Sequence, residues 1–246
     1  MIKKALFLIF IICQLWSTGF TQNSINDKLI GVWKLNYEGN NVCMVFTNQN
    51  SGSITDKSGL VYYFFTYQIT SDNGITFLDK HIPIYHDEKE NDKYLIQLKN
   101  DTTLLLNKGF KEKNAQSMLG KYVLTYTKLT GINAVDFIKK RSQKDLIGTW
   151  LNVFKKDTIL SLTFKSNNVL ELKDKHNNQQ VSVKYNINTD KQPMELDIIN
   201  SVTGELQQNI FVFDAPDKIR MAGPKKGKRR THFTVFGNNS YITKEN

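Results

Sequence analysis

The chain has 246 residues and a formal charge of +10, from 33 lysines and arginines against 23 aspartates and glutamates. That length suffices for one or two hydrophobic cores, and two cysteines exclude a disulfide framework as the source of stability. The excess of positive charge turns attention to anionic partners.

Residues 1–22 have the order of a secretory signal peptide: basic Lys3 and Lys4, apolar Ala5–Cys13, then small and polar Ser17–Gln22. Even extended to Trp16, the apolar run is shorter than the ~20 residues that span a bilayer. Cleavage near Gln22 removes Lys3, Lys4 and Cys13, which lowers the charge to +8 and leaves Cys43 as the single thiol. Cys43 lies within the apolar run Val42–Phe46 with no histidine near it in sequence, the setting of a buried, inert thiol. Richness in Lys, Asn and Ile, together with the leader, points to a bacterial export protein. The mature chain is expected to be periplasmic or extracellular, with no membrane span.

Two short stretches repeat. Leu29–Trp33 reads LIGVW and Leu146–Trp150 reads LIGTW. Phe46 and Phe164 follow, then Tyr67 and Tyr185, each 21 residues further on. The LIGxW stretches stand 117 residues apart, and after a one-residue slip Phe46, Tyr67, Ile69 and Leu78-Asp79 match Phe164, Tyr185, Ile187 and Leu196-Asp197 at a constant offset of 118. Matches held to one offset indicate a duplication.

Between these markers the pattern is that of strands. Val61–Ile69 (VYYFFTYQI) is apolar on both faces at its start, so it needs cover on its second side. Asp72-Asn73-Gly74 predicts a type I′ turn into Ile75–Leu78, since both central residues of that turn need positive φ. Tyr94–Leu98 and Thr103–Leu106 follow, and Tyr122–Leu129 closes the first half. Ala134–Lys144 reads as a helix between the halves, with Val135, Phe137 and Ile138 on its apolar face. In the second half Leu160, Leu162 and Phe164 alternate with polar residues, as do Val181, Val183, Tyr185 and Ile187. Ile210–Phe213 and Lys218–Met221 come next, and His232–Phe236 reads as the last strand. Many short strands at this spacing indicate an all-β antiparallel barrel or sandwich.

Both tryptophans of the mature chain stand two residues after a glycine, as Gly31-Val32-Trp33 and Gly148-Thr149-Trp150. Glycine permits a tight turn there, and tryptophan has enough apolar surface to plug one end of a small barrel. These motifs resemble the opening signature of the lipocalin-like (calycin) barrels, in particular the small secreted lipocalin-like domains of Bacteroidetes-type bacteria. The resemblance covers essentially the mature chain as two tandem copies. It implies two small antiparallel barrels, at 23–130 and 145–246, joined by a short helical linker at 131–144. It also implies a basic residue on each last strand, packed across the tryptophan. Lys128 offers this in the first half, and Lys228, Arg229 or Arg230 in the second. A small apolar or amphipathic ligand inside such barrels would meet Tyr63, Phe65, Tyr67, Val183 and Tyr185. Each repeat is nevertheless shorter than a full ligand-carrying lipocalin, and a barrel of that size can be filled by its own side chains.

The remaining chemistry is sparse. His81 and His86, followed by Asp87, Glu88, Glu90 and Asp92, form the only cluster with metal-ligand residue types, but meet no known ligand spacing. They read as a solvated loop, and no metal or cofactor is expected. Pro224–Arg230 (PKKGKRR) is the densest positive run. Its G-x-x-x-G-K, Gly223 to Lys228, is one residue short of a phosphate-binding loop and lacks the strand–helix context, which rejects nucleotide binding. Lys225, Lys226, Lys228, Arg229 and Arg230 form a basic surface patch. For an exported protein an anionic envelope surface or polysaccharide is a more available partner than nucleic acid. No G-x-S-x-G, H-E-x-x-H or C-x-x-C occurs, and Asp197 and Asp214 would serve as an acid–base pair only at the right separation. The expectation is a non-catalytic exported binding protein. The alternative is an envelope interaction protein with filled barrels.

Overall fold

Sixteen strands run through the computed structural model, which describes residues 25–37, 39, 41–84, 92–107, 123–154, 157–233 and 239–245. A helical turn, α1, over residues 25–29 precedes them. β1 (Gly31–Leu35), β2 (Val42–Phe46), β3 (Ser51–Asp56), β4 (Val61–Asp72), β5 (Ile75–His81), β6 (Asp92–Asn100), β7 (Thr103–Asn107) and β8 (Val123–Leu129) form one closed antiparallel barrel. β9 (Gly148–Phe154), β10 (Asp157–Phe164), β11 (Val169–Asp174), β12 (Gln180–Asn188), β13 (Met194–Ile199), β14 (Leu206–Ala215), β15 (Lys218–Ala222) and β16 (Ser240–Lys244) form a second. Each strand pairs with its neighbours in sequence. β8 returns to β1 and β16 returns to β9, so neither sheet leaves a free edge.

The repeat in sequence, its one-residue slip included, is a repeated register in space. Gly31 lies opposite Phe46, and Gly148 opposite Phe164. Ile69 pairs with Leu78, and Ile187 with Leu196. The Tyr67 N–H donates to Asn50 O and the Tyr185 N–H to Asn168 O, both at 2.9 Å. A one-residue slip in any of these strands would turn its core set outward, so the spacing of the apolar residues and the pairing hold each other in place.

The expected turn at Asp72 is present, with Asn73 at φ 50° and Gly74 at φ 79°. Three expectations need correction. The linker is two four-residue helices, α2 (Ala134–Phe137) and α3 (Gln143–Leu146), not one helix. Asn133 caps the first through the Val135 N–H at 2.8 Å, and the Asp145 carboxylate reaches back to the Ser142 N–H at 2.7 Å to start the second. Between them the backbone is extended, and Lys139 bridges to the β3–β4 turn. The last strand is Ser240–Lys244, not His232–Phe236, of which only His232 and Phe233 are described. Phe233 is fully buried and its N–H donates to Ile84 O at 2.9 Å. Its ring packs under Arg220 at 4.9 Å, so it is held in the second unit by contacts other than a strand ladder. Third, Val181 is exposed rather than part of the buried face of β12.

β3 carries a single large apolar side chain, Ile54, and escapes periodicity analysis. It stands in the wall because Gly52 lets it pass closely: a Cβ there would lie 2.3 Å from Val45 O and 2.6 Å from the Phe65 ring.

Grouped by proximity, the described residues form two compact units that do not follow the repeats. One holds residues up to Ser53, Phe65–His81, and residues 92 to 137. The other holds Ile54–Phe64, residues 82–84, and everything described from Ile138 onward. The tip of the β3–β4 hairpin thus belongs with the second unit. There the Lys139 N–H donates to Gly59 O at 2.8 Å and the Val61 N–H to Lys139 O at 3.0 Å. The cover that the apolar start of β4 requires is provided by residues 139–141.

Candidate functional site

The duplicated motif builds a four-part lock, once in each barrel. The Trp33 Nε1–H donates to Leu29 O at 2.7 Å, and the Trp150 Nε1–H to Leu146 O at 2.7 Å. Both rings are fully buried. Lys128, opposite Trp33 in the ladder, holds its Nζ 5.2 Å from the ring centroid. Lys244, opposite Trp150, holds its Nζ at 5.4 Å. Backbone conformation favours glycine at both places, with Gly31 at φ 142° and Gly148 at φ 123°, and the ends of the Lys128 and Lys244 side chains lie over them, 2.6 and 3.1 Å from where a Cβ would stand. Burial holds the Lys128 ammonium below its ordinary pKa, with Asp101 pulling the other way, and Lys128 Nζ donates to Lys28 O at 2.8 Å. The expectation for Lys128 is met. In the second half the cation is Lys244 rather than Lys228, Arg229 or Arg230, because β16 lies beyond the run expected to close the barrel. The signal was present, since Lys128 follows its tryptophan by 95 residues and Lys244 by 94.

The residues put forward as ligand contacts fall in the walls of the barrels. Phe65, Tyr67, Val183 and Tyr185 are buried, and Tyr63 is half-buried. Phe46 stacks edge-on against Phe65 at 5.9 Å and against Tyr67 at 4.9 Å. Phe164 meets Tyr185 edge-on at 5.2 Å. The Tyr67 hydroxyl donates to Asn48 O at 2.6 Å and the Tyr185 hydroxyl to Lys165 O at 2.7 Å. Trp150, Phe213 and Phe211 continue the aromatic packing of the second barrel, at 6.0 and 6.1 Å. Lys80 was not foreseen. It is 3% exposed, with its Nζ 5.5 Å from Phe65 and 5.2 Å from Tyr94.

Among the described residues, two grooves lie on the first unit. An open one of about 580 Å³ runs beside the Trp33 lock and is lined by Ile30, Gly31, Asp101, Lys128, Ile132 and Val135 among others. A polar recess of about 230 Å³ on β4 and β5 is lined by Thr66, Gln68, Asp79 and His81 with Tyr67 and Lys80.

The basic patch divides into two parts. Lys225, Lys226 and Lys228 are exposed on a two-residue turn, closed by Lys225 N–H to Lys228 O at 2.9 Å and Lys228 N–H to Lys225 O at 3.1 Å. Arg229 is half-buried and grips the wall of the second barrel, through Asp197 at 2.5 Å, Asn209 O at 3.1 Å and Glu195 at 3.7 Å. Arg230 donates from Nε to Gly223 O at 2.9 Å. No known protein family, curated protein or solved structure matches the chain.

The carboxylates considered for catalysis are held apart. Asp197 pairs with Arg229 and lies opposite Gln208. Asp214 stands further along β14, roughly 20 Å away at the rise of a strand, where glycoside hydrolysis needs roughly 5–9.5 Å. Burial raises the Asp214 carboxyl, against the lowering pull of Arg220, whose Nη2 donates at 2.9 Å. His81 is exposed, while His86, Asp87, Glu88 and Glu90 lie outside the described residues. Among the described residues no three His, Cys, Asp or Glu converge as a cation site, and no helix is long and apolar enough to cross a membrane. Cys43 is buried on β2.

Proposed function

We propose that this is an exported, non-catalytic interaction protein whose lipocalin-like barrels are filled by their own side chains and whose outer surface contacts a component of the cell envelope. The observation that carries this reading is the mutual engagement of the residues a ligand would need. Tyr67 and Tyr185 direct their hydroxyls to backbone carbonyls and their rings to Phe46 and Phe164. A ligand in that position would have to displace a hydrogen-bonded, close-packed aromatic pair in each barrel. The signal-peptide order of residues 1–22 supports export.

A small apolar or amphipathic ligand in the first barrel is the second reading, favoured by Lys80. The second barrel has Ile198 at the equivalent position, so the first alone places a buried ammonium beside Phe65 and Tyr94. Native mass spectrometry of the protein from its own source, with titration of a fluorescent fatty-acyl probe, separates the two. Filled barrels give the bare chain mass and no saturable probe signal. A stoichiometric adduct, or a probe signal lost in Lys80→Met, overturns the filled-barrel reading. The N-terminal sequence of the mature protein, expected to begin near Gln22, tests export.

A further inference from the structure

The turn at Lys225–Lys228 is built against its own stability. Lys226 at φ 52° and Gly227 at φ 73° give it the type I′ conformation. Four non-glycine residues among those described have positive φ, and the other three are asparagines: Asn73, Asn168 and Asn178. Asparagine tolerates that region through its short polar side chain, and lysine enters it only at a cost. The same chain therefore provides the control, since Asn73-Gly74 makes the same kind of turn with the favoured residue. A second conflict lies beside the first. Lys225 and Lys228 face each other as a cross-strand pair, and like charges directly opposite repel. None of the three lysines has an ion-pair partner among the described residues. Local rules broken together on an otherwise consistent scaffold mark a functional position.

The flanks hold this turn out rigidly. Arg229 is fixed to Asp197, Glu195 and Asn209 O, Arg230 to Gly223 O, and Phe233 is buried under Arg220. The arginines, whose planar fork suits fixed partners, face the barrel wall. The lysines, compact charges that accept anions from many directions, face outward. Three ammoniums concentrated at a convex tip match a plane of anions, rather than a groove or stripe that follows a polymer.

We propose that Lys225, Lys226 and Lys228 dock the protein on an anionic membrane surface by contacting the phosphates of lipid headgroups. This rests on the reading that the outer surface does the work, and it names the patch and the partner.

The test is co-sedimentation of the full chain with vesicles of phosphatidylcholine alone and of phosphatidylcholine with roughly one-third phosphatidylglycerol, at low and high salt. Binding to the anionic vesicles only, weakened by salt, is expected. Removing all three charges (Lys225→Gln, Lys226→Asn, Lys228→Gln) lowers the partition coefficient about 100-fold, and Lys226→Asn alone about 5-fold. Lys226→Asn also keeps or raises the thermal midpoint, because asparagine fits the turn, so its loss of binding is not a loss of fold. If that variant is less stable, Lys225→Gln with Lys228→Gln, which leaves both turn residues in place, carries the test. Undiminished binding by the charge-removed variant overturns the proposal. So does binding to an anionic polysaccharide without binding to vesicles, or no vesicle binding at low salt. An adduct in the native mass spectrum would sink the filled-barrel reading and leave the vesicle result standing.

Discussion

The β3–β4 and β11–β12 hairpins occupy the same place in the two repeats and have opposite characters. In the first, the Asp56 carboxylate gathers the turn, accepting from Ser58 N–H at 2.8 Å, Ser58 Oγ–H at 2.6 Å and Leu60 N–H at 3.0 Å. Val61 and Tyr62 behind it are buried. Arg141 closes over them, with Nε donating to Val61 O at 3.1 Å and the guanidinium between the rings of Tyr62 at 5.5 Å and Phe213 at 4.3 Å. In the second, Asp174 and Asn177 make short local turns, Asn178 takes positive φ, and Gln180, Val181 and Ser182 are exposed. The Trp–Lys locks, by contrast, are nearly superposable in their distances. Duplication preserved what closes the barrels, and let diverge the hairpin tips that their closure does not require.

The largest expected effect tests the sameness. Trp33→Ala and Trp150→Ala should each cost about 3–5 kcal/mol, from lost burial and the cavity left behind. Denaturant unfolding of both variants should give similar losses, and a difference beyond the spread of the two fits would show that the locks are not equivalent. The next tests the contrast. Arg141→Ala strips the Val61 carbonyl of its partner and two rings of their cover, for about 2–3 kcal/mol, with faster amide exchange at Val61. Val181→Ser on the other hairpin should stay within about 0.5 kcal/mol. Comparable losses from the two would erase the distinction drawn between the hairpins. Gly31→Ala and Gly148→Ala sharpen it further at about 1–3 kcal/mol. The two costs should be similar, since both glycines hold a positive φ that strains a side chain, while the lysine ends above them can move aside.

Most of the strands could be read from alternation, and the pairing of the repeats from the constant offset, because a core face imposes a period of two on any strand that supplies it. β3 and β16 could not. Each presents one large core residue, Ile54 or Ile242, and owes its place to the ladders on either side. Phe233 misled in the opposite sense, since an apolar alternation can bury a residue outside any strand ladder as well as face a barrel. At the candidate site, the glycine–tryptophan motif marked the lock, and Lys244 was marked only by its spacing of 94 residues from Trp150, against 95 from Trp33 to Lys128. Arg141 and Lys80 carry no local signal at all. Their roles come from rings contributed by residues distant in sequence.

The smallest effects bear on the hydroxyls. Tyr67→Phe and Tyr185→Phe should each cost about 1 kcal/mol, since each leaves a backbone carbonyl without its donor. The first barrel has a further phenol at Tyr126, opposite Leu35 on β1, where the second has Ile242 opposite Asn152. Burial pushes the Tyr126 pKa from 10.0 up to about 12, and burial together with Asp27 raises Tyr67 further. A phenol whose pKa is higher in the folded chain favours folding most below its unfolded pKa, near 10. That contribution then falls as the pH rises toward the folded value. Stability should therefore decline by about 1 kcal/mol per phenol between about pH 8 and about pH 11. Tyr126→Ile, which copies the second repeat, should flatten that decline in thermal unfolding across the alkaline range. An unchanged slope would mean that the Tyr126 ring reaches solvent in the folded barrel.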